Sequence, residues 1–239
     1  MSTGPSYASP LRQRLRRLLR PALLGTLRST VPRSDVWGFD RGTPVDRFYI
    51  ERFLRAHAVD IRGRTLEVMD DAYTRRFGTA VARADVLDID AGNPRATVVV
   101  PDLAAADAIP DDAFDCFVLT QTLQLVFDVR AALGHVHRVL RPGGTLLLTV
   151  PCVSRIVDHL WRDTDYWRFT PASLGRLVRE AFGPDAEVEV RGHGNVLACV
   201  AFMAGIAHEE LPRRRLERDD DRFPLVVTAR AVKAGGAPR

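Results

Sequence analysis

Residues 111–151 read DDAFDCFVLTQTLQLVFDVRAALGHVHRVLRPGGTLLLTVP, and three features of that stretch decide the fold class. Apolar residues crowd Phe114–Thr120 and again Thr145–Val150 in short, nearly unbroken runs, the pattern of strands covered on both faces. The segment between them, roughly Asp128–Leu140, is predicted to be a helix. Arg141-Pro142-Gly143-Gly144 should end it sharply, because proline cannot continue a helix and glycine takes the left-handed turn. Strand, crossover helix and strand in this order form a parallel, right-handed unit.

The alternation extends in both directions. Toward the amino terminus, Thr65–Met69, Asp85–Ile89 and Ala96–Val100 read as strands, with a helix near Tyr73–Phe77. Toward the carboxyl terminus come a helix at Pro171–Phe182, a strand at Ala186–Val190, a helix at Val196–Glu209 and a last strand at Leu225–Val232. Ahead of the sheet, Thr43 reads as an N-cap and Pro44 as the first helical residue, with Asp46 in the first turn, where an acid suits the positive helix end. Such a chain is α/β, with a mostly parallel sheet and helices on both faces.

In open α/β sheets, ligands lie beyond the carboxyl ends of the strands, near the point where strand order reverses. The candidate residues are therefore those that follow each strand. Glu67, Asp70, Ala72 and Tyr73 follow the first, and the acids Asp88 and Asp90 follow the second. An acid in the latter position can accept hydrogen bonds from both hydroxyls of a ribose, and Asp90 is preferred over Asp88 for that role. Asp102 and Leu103, after the third strand, offer a carboxylate for an adenine amino group beside an apolar wall. Thr120 and Gln121 leave the fourth. His159 and Asp163 lie in a polar stretch after the fifth, where an acceptor substrate would approach, and either could serve a hydroxyl acceptor as general base, although for His159 a solvated loop is the plainer reading. Trp161, Tyr166 and Trp167 could wall an acceptor or pack in the core.

Phe114-Asp115, Leu133–Leu140 and Arg-Pro-Gly-Gly before an apolar strand resemble the class I S-adenosylmethionine-dependent methyltransferases, in particular bacterial members of the type 11 group. Asp165-Tyr166-Trp167-Arg168-Phe169-Thr170 resembles the segment these enzymes carry before a late helix, and Trp37–Arg47 is similar to their leading segment. The resemblance covers roughly residues 60–232. It implies a Rossmann-like sheet with a final antiparallel strand, S-adenosylmethionine as cofactor, and methyl transfer to a small-molecule or glycan acceptor. By the same resemblance Arg41, Gly42 and Thr43 lie near the cofactor's methionine end. The family usually carries a glycine-rich loop after its first strand, where glycine permits strained backbone and close cofactor approach. Here residues 67–72 contain no glycine, and Met69 stands where the first would be. That departure leaves a second reading, a methyltransferase-like binding or scaffold protein that has lost its cofactor. A nicotinamide oxidoreductase is disfavoured by the lack of a GxGxxG cradle.

The composition agrees with a soluble globular chain: 239 residues, 46% hydrophobic and 27% charged, net charge +4. Positive charge concentrates in residues 11–33, with seven arginines and no acid. Residues 1–35 read as a basic arm and 36–239 as the methyltransferase domain. Within the arm Leu11, Leu15, Leu18, Leu19, Ala22 and Leu23 mark one face of an amphipathic helix. That face could touch anionic lipid (residues 11–28), or dock on the domain body or a second subunit, which are the plainer readings. No nucleic-acid partner is expected. Cys116, Cys152 and Cys199 are odd in number and widely spaced, as expected of reduced thiols rather than of disulfides or a zinc site. With no apolar leader, the chain is expected to be cytoplasmic.

Overall fold

The computed structural model describes residues 29–156 and 159–235, with backbone alone at 159–161. The basic helix at residues 11–28 lies outside the described residues, as does the side chain of Trp161. The described residues from Arg33 onward form one compact unit.

This unit is built on a seven-stranded sheet in the order β3-β2-β1-β4-β5-β7-β6. The strands are β1 (Arg62–Val68), β2 (Ala80–Asp88), β3 (Val98–Val99), β4 (Phe114–Thr120), β5 (Leu140–Pro151), β6 (Glu187–His193) and β7 (Val226–Val232). β1 to β5 run parallel, whereas β7 inserts antiparallel between β5 and β6. The chain passes from β1 outward to β2 on one side and later returns to place β4 on the other, so the reversal point is the crevice between the carboxyl ends of β1 and β4.

Helices cover both faces. On one side α3 (Val129–Val139) and α4 (Pro171–Phe182) pack Leu133, Val136, Leu174, Val178 and Phe182 on Phe117 and Leu119 of β4 and on Leu146 and Leu148 of β5. On the other, α1 (Val45–Ala56) and α5 (Val196–Met203) bring Tyr49, Ile50, Leu54 and Phe202 against Cys116, Val118 and Leu147. Alternate side chains of one strand thus enter opposite clusters, which is why the strands read as continuous apolar runs. Two short helices, α2 (Ala72–Phe77) and α6 (Arg213–Leu216), complete the fold.

Four expectations need correction. Arg141–Gly144 does not act as a detached helix stop. α3 ends at Val139, Leu140 already pairs with Phe114, and the Pro-Gly-Gly forms an irregularity inside β5. Gly143 there has φ +78°, and a Cβ on Gly144 would fall 2.8 Å from the Arg141 carbonyl oxygen, so this bend needs its glycines. The helix expected over Val196–Glu209 stops at Met203, followed by Gly205 at φ +70° and a short 3₁₀ turn at His208–Glu210. At the start of α1 it is Pro44, not Thr43, that occupies the N-cap, without a side-chain cap because proline carries no side-chain acceptor, and Glu209 holds the Thr43 amide. The strand expected over Ala96–Val100 contracts to the two residues of β3.

Gly205 sits under the leading segment. A Cβ there would lie 2.5 Å from the Ser34 carbonyl oxygen and 2.7 Å from its nitrogen. Left-handed strain and a backbone overlap together predict that Gly205→Ala destabilises the fold by roughly 2–4 kcal/mol. Urea denaturation checks this, and an unchanged midpoint would contradict the placement.

Candidate functional site

The first strand ends in Glu67 and Val68, and the chain then turns through Met69. Glu67 is 2% exposed. Its two carboxylate oxygens accept from the Tyr73 and Thr74 amides at 3.0 and 2.7 Å, fastening β1 to the first turn of α2. Burial pushes this carboxyl up to about 7, against the opposing pull of those amide donors. Asp70 accepts from the Ala72 amide and Asp71 pairs with Arg75, so both acids are engaged within the loop.

Met69 adopts φ +70°, the left-handed conformation for which a glycine is ordinarily chosen. Its amide still donates to the Leu87 carbonyl at 2.9 Å, and its side chain is 63% exposed. The loop therefore keeps the turn that a glycine would make, with the thioether chain directed to solvent. The strain is about 1 kcal/mol for an L-residue in this conformation. Met69→Gly should raise stability by roughly 0.5–1 kcal/mol and Met69→Val, with its branched Cβ, should lower it by about as much, as read by chemical denaturation.

Beyond β2, Asp88 is bound on both oxygens, Oδ1 by the Asp90 amide and Oδ2 by Asn93 Nδ2 at 2.6 Å. The same Asn93 amide donates to the Met69 carbonyl at 2.8 Å, so it ties the loop after β1 to the loop after β2. Asp90 is exposed and uses Oδ1 to receive the Gly92 amide in a tight turn. Asp88 thus holds the loop and Asp90 faces outward. Asp102 caps a 3₁₀ turn by accepting from the Ala104 amide, and Leu103 beside it is buried. After β4, Gln121 takes φ +48°, a second left-handed residue at the neighbouring strand end, and its amide donates to the Thr149 carbonyl at 2.8 Å. Thr120 is half-buried and its carbonyl accepts from the Thr122 hydroxyl.

A cleft of about 190 Å³ opens beyond β4 and β5. Of the residues expected to hold cofactor or catalyse, Gln121 lines it, whereas Asp88, Asp90, Asp102 and Asp163 do not. Its walls come from Trp37, Phe39 and the start of α1, from Gln124 and Leu125, from Pro151 and Ser154, and from Asp165 and Arg168. Arg168 is fully engaged, donating to Asp165 at 2.5 and 2.9 Å and to backbone carbonyls of Ser154, Arg155 and Trp167. Asp46 is buried, with Oδ2 3.6 Å from Arg47 Nη1 and Oδ1 lacking a hydrogen-bond partner. Burial raises its pKa, and the Arg47 charge tempers the rise. Gln124 is buried as well. Its Nε2 donates to the Gln121 carbonyl at 2.7 Å, while Oε1 is unpartnered.

Asp163 is exposed, and the side chain of His159 lies outside the described residues. Arg41, Gly42 and Thr43 are held by the 3₁₀ turn at His208–Glu210. Arg41 pairs with Glu210 at 2.5 Å, and Glu209 accepts the Thr43 amide while packing where a Gly42 Cβ would go. Phe127, Tyr166 and Trp167 form an exposed cluster, with ring centroids 5.2 Å apart for Phe127–Tyr166 and 6.0 Å for Phe127–Trp167. All three cysteines are free, and no group of three or more potential metal ligands occurs among the described residues. Also among them, no helix is long and apolar enough to cross a membrane.

Sequence reasoning passed over Asp46, Gln124 and Asn93. Asp46 looked like an ordinary first-turn acid, and only the packing of residues 37–47 over the strand ends buries it. Asn93 carried a usable signal, since an amide two residues past a strand-end turn is a natural bridge between loops.

The profile of the family described as "Methyltransferase domain" matches residues 36–181. A 78-residue stretch is 37% identical to the ubiquinone/menaquinone biosynthesis C-methyltransferase UbiE of Marinomonas sp. (strain MWYL1), covering 31% of this chain and 30% of that relative. Among solved structures, an S-adenosylmethionine dependent methyltransferase from Mesorhizobium loti superposes with TM-score 0.51 at 17% identity, covering 75% of this chain and 95% of its own. The [4+2]-cyclase SpnF superposes with TM-score 0.53 at 16% identity, covering 93% and 95%. At such identities the structural likenesses establish the fold, and that a methyltransferase and a cyclase share it shows that the fold alone does not specify a reaction. With the strand order, the reversal point between β1 and β4 and a profile match over more than half its length, the chain belongs to the methyltransferase-domain family, the class I S-adenosylmethionine-dependent methyltransferases.

Proposed function

We propose that this chain transfers a methyl group from S-adenosylmethionine to an oxygen, nitrogen or carbon nucleophile on a small-molecule or glycan acceptor. The observation that carries the reading is the pair of left-handed turns, Met69 and Gln121, at the adjacent ends of β1 and β4. Strained conformations collect at ligand sites, and the outward Met69 side chain leaves the crevice beside it clear of its bulk. The residues present therefore fit the cofactor despite the missing glycines. Asp90 would take the ribose hydroxyls, Asp102 and Leu103 the adenine, and Thr120 and Gln121 the methionine end, with Glu67, Asp88 and Asn93 holding the loops in place.

When bound, the cofactor supplies a sulfonium whose methyl is already electrophilic. What remains for the protein is to align a nucleophile behind that methyl and to keep water out, a positioning effect worth several kcal/mol of barrier. The cleft beside Gln121 is placed for this. Phe127, Tyr166 and Trp167 lie on the two segments that line it, and exposed rings of this kind offer apolar faces to the C–H side of a sugar or to a planar metabolite. A hydroxyl acceptor also needs somewhere to send its proton. Asp163, exposed and away from the cleft lining, is less well placed than the acids that face it.

Isothermal titration calorimetry with S-adenosylmethionine and S-adenosylhomocysteine tests the reading. One-to-one binding of both is expected. Failure to bind either would favour a cofactor-free scaffold. A methyl-transfer screen over free glycans and metabolites then identifies the acceptor.

A further inference from the structure

Exposed apolar side chains gather on the segments that line the cleft. Phe39 belongs to the cleft wall itself, and Val36 lies one residue before Trp37 of that wall; both are exposed. Ile156, also exposed, follows Arg155, whose guanidinium lies 4.1 Å over the Trp37 ring. Tyr166 and Trp167 stand between the cleft residues Asp165 and Arg168, and their amides donate to the carbonyl of Gln124, another lining residue. Phe127, 68% exposed, packs against both rings. The Trp167 indole N–H donates to the Val126 carbonyl at 3.1 Å, so that ring presents no unmet donor. Among the described residues, four of the five exposed Phe, Tyr and Trp side chains (Phe39, Phe127, Tyr166 and Trp167) belong to this rim, and only Phe223 stands elsewhere. Single exposed apolar residues need no explanation, whereas a set collected round one opening marks an interaction surface.

Whatever covers this rim also covers the cleft. A folded partner or a second copy seated there would close the path of a methyl acceptor, whereas a bilayer leaves that path open to an acceptor dissolved in it. Aromatic rings suit the boundary between hydrocarbon and headgroups. Charge supplies a second, separate argument. The rim segments include exposed Asp35, Asp40 and Asp163 as well as Arg33 and Arg162, so their own charges are mixed. Residues 11–28, however, carry six arginines and no acid, and only residues 29–35 separate them from Val36. A basic stretch joined to an apolar anchor adds attraction to an anionic headgroup layer. We propose that the rim of the cleft seats on an anionic lipid bilayer, its apolar side chains entering the interface and the arginines of residues 11–28 adding charge attraction. The choice of lipid over a protein occupant rests on the methyl-transfer reading above.

The test uses the full chain and sedimentation with sucrose-loaded vesicles, made of equimolar phosphatidylglycerol and phosphatidylcholine or of phosphatidylcholine alone. The chain should bind the anionic vesicles and bind the neutral ones at least about tenfold more weakly. Phe127→Ser combined with Ile156→Ser should weaken binding to the anionic vesicles about tenfold, the fold-change for withdrawing roughly one large apolar side chain from lipid. Val200→Ser combined with Phe223→Ser, at exposed apolar positions outside the rim, should leave binding within about threefold, less than one buried methylene is worth. Thermal unfolding without lipid shows whether each variant folds. Should the rim variant fold poorly, the parent itself still decides: vesicles brominated in their acyl chains should quench its tryptophan fluorescence, because Trp37 and Trp167 both stand at the cleft. Absence of binding to anionic vesicles, or full binding by a folded rim variant, would overturn the proposal. An equal loss in the Val200 and Phe223 variant would do the same by moving the contact elsewhere. A dimer in light scattering that the rim variant dissociates would make a second copy the occupant and also overturn it. Sedimentation needs no cofactor, so a chain that binds vesicles but no S-adenosylmethionine loses the methyl-transfer reading while the lipid contact stands.

Discussion

Replacing Asp90 with alanine is expected to weaken S-adenosylhomocysteine binding about 100-fold while leaving the fold intact. The expectation follows from the division of labour after β2. Asp88 has both oxygens occupied by the Asp90 amide and Asn93, whereas Asp90 is exposed and bound on Oδ1. A carboxylate that accepts two ribose hydroxyls makes two charge-assisted hydrogen bonds of about 1.5–3 kcal/mol each, and two powers of ten in affinity correspond to about 2.7 kcal/mol. Calorimetry gives the dissociation constants, and thermal unfolding without ligand shows whether the loop survived. Asp88→Ala should show the opposite balance, a measurable loss of stability along with the loss of binding. Equal affinity in Asp90→Ala and the parent would remove Asp90 from the cofactor site.

The second large effect is expected at Glu67. Glu67→Leu keeps the volume approximately but deprives the Tyr73 and Thr74 amides of their acceptors, which should cost about 2–5 kcal/mol of stability. The pH dependence separates this from a simple packing defect. Burial raises the folded-state carboxyl from 4.5 to about 7, so the folded protein holds this proton more tightly than the unfolded chain. Its contribution is fully present below pH 4.5 and is lost as pH rises toward 7. Stability of the parent relative to Glu67→Gln should therefore decline across that window in urea titrations. A difference that instead grows with pH would mean that the amide donors outweigh burial and that the carboxylate is ionised in the fold.

These effects concern residues whose positions were legible from the chain to different degrees. β1, β4, α3 and α4 were foreseeable within a few residues, the helices because each announces itself locally: Thr170 caps α4 through the Ser173 amide with Pro171 behind it, and Asp128 caps α3 through the Ala131 amide. The end of α5 was not, because the apolar run Val196–Ala207 has the hydrophobicity of a longer helix, and only the close approach of Ser34 to Gly205 shows why it breaks. For the site, position after a strand pointed to Glu67, Asp88, Asp90 and Gln121. It could not reveal that Met69 would adopt a glycine's conformation, since that depends on Leu87 and Asn93 gripping its backbone from the next strand. Asp46 and Gln124 were invisible for the same reason. Their meaning lies in what packs over them.

The binding of residues 33–44 to residues 204–210 carries a last implication for how the molecule comes into being. Arg33 donates to the Ala204 carbonyl, Pro44 bridges Ala207, Arg41 pairs with Glu210 and Glu209 holds Thr43. One wall of the cleft is thus synthesised well ahead of the segment that fastens it. A nascent chain halted before residue 204 can pair β1 to β5 but has nothing with which to pin Trp37, Phe39 and Asp46 over their ends. The cleft is completed only once residues 204–210 have been synthesised, so a shorter nascent chain cannot acquire it ahead of time.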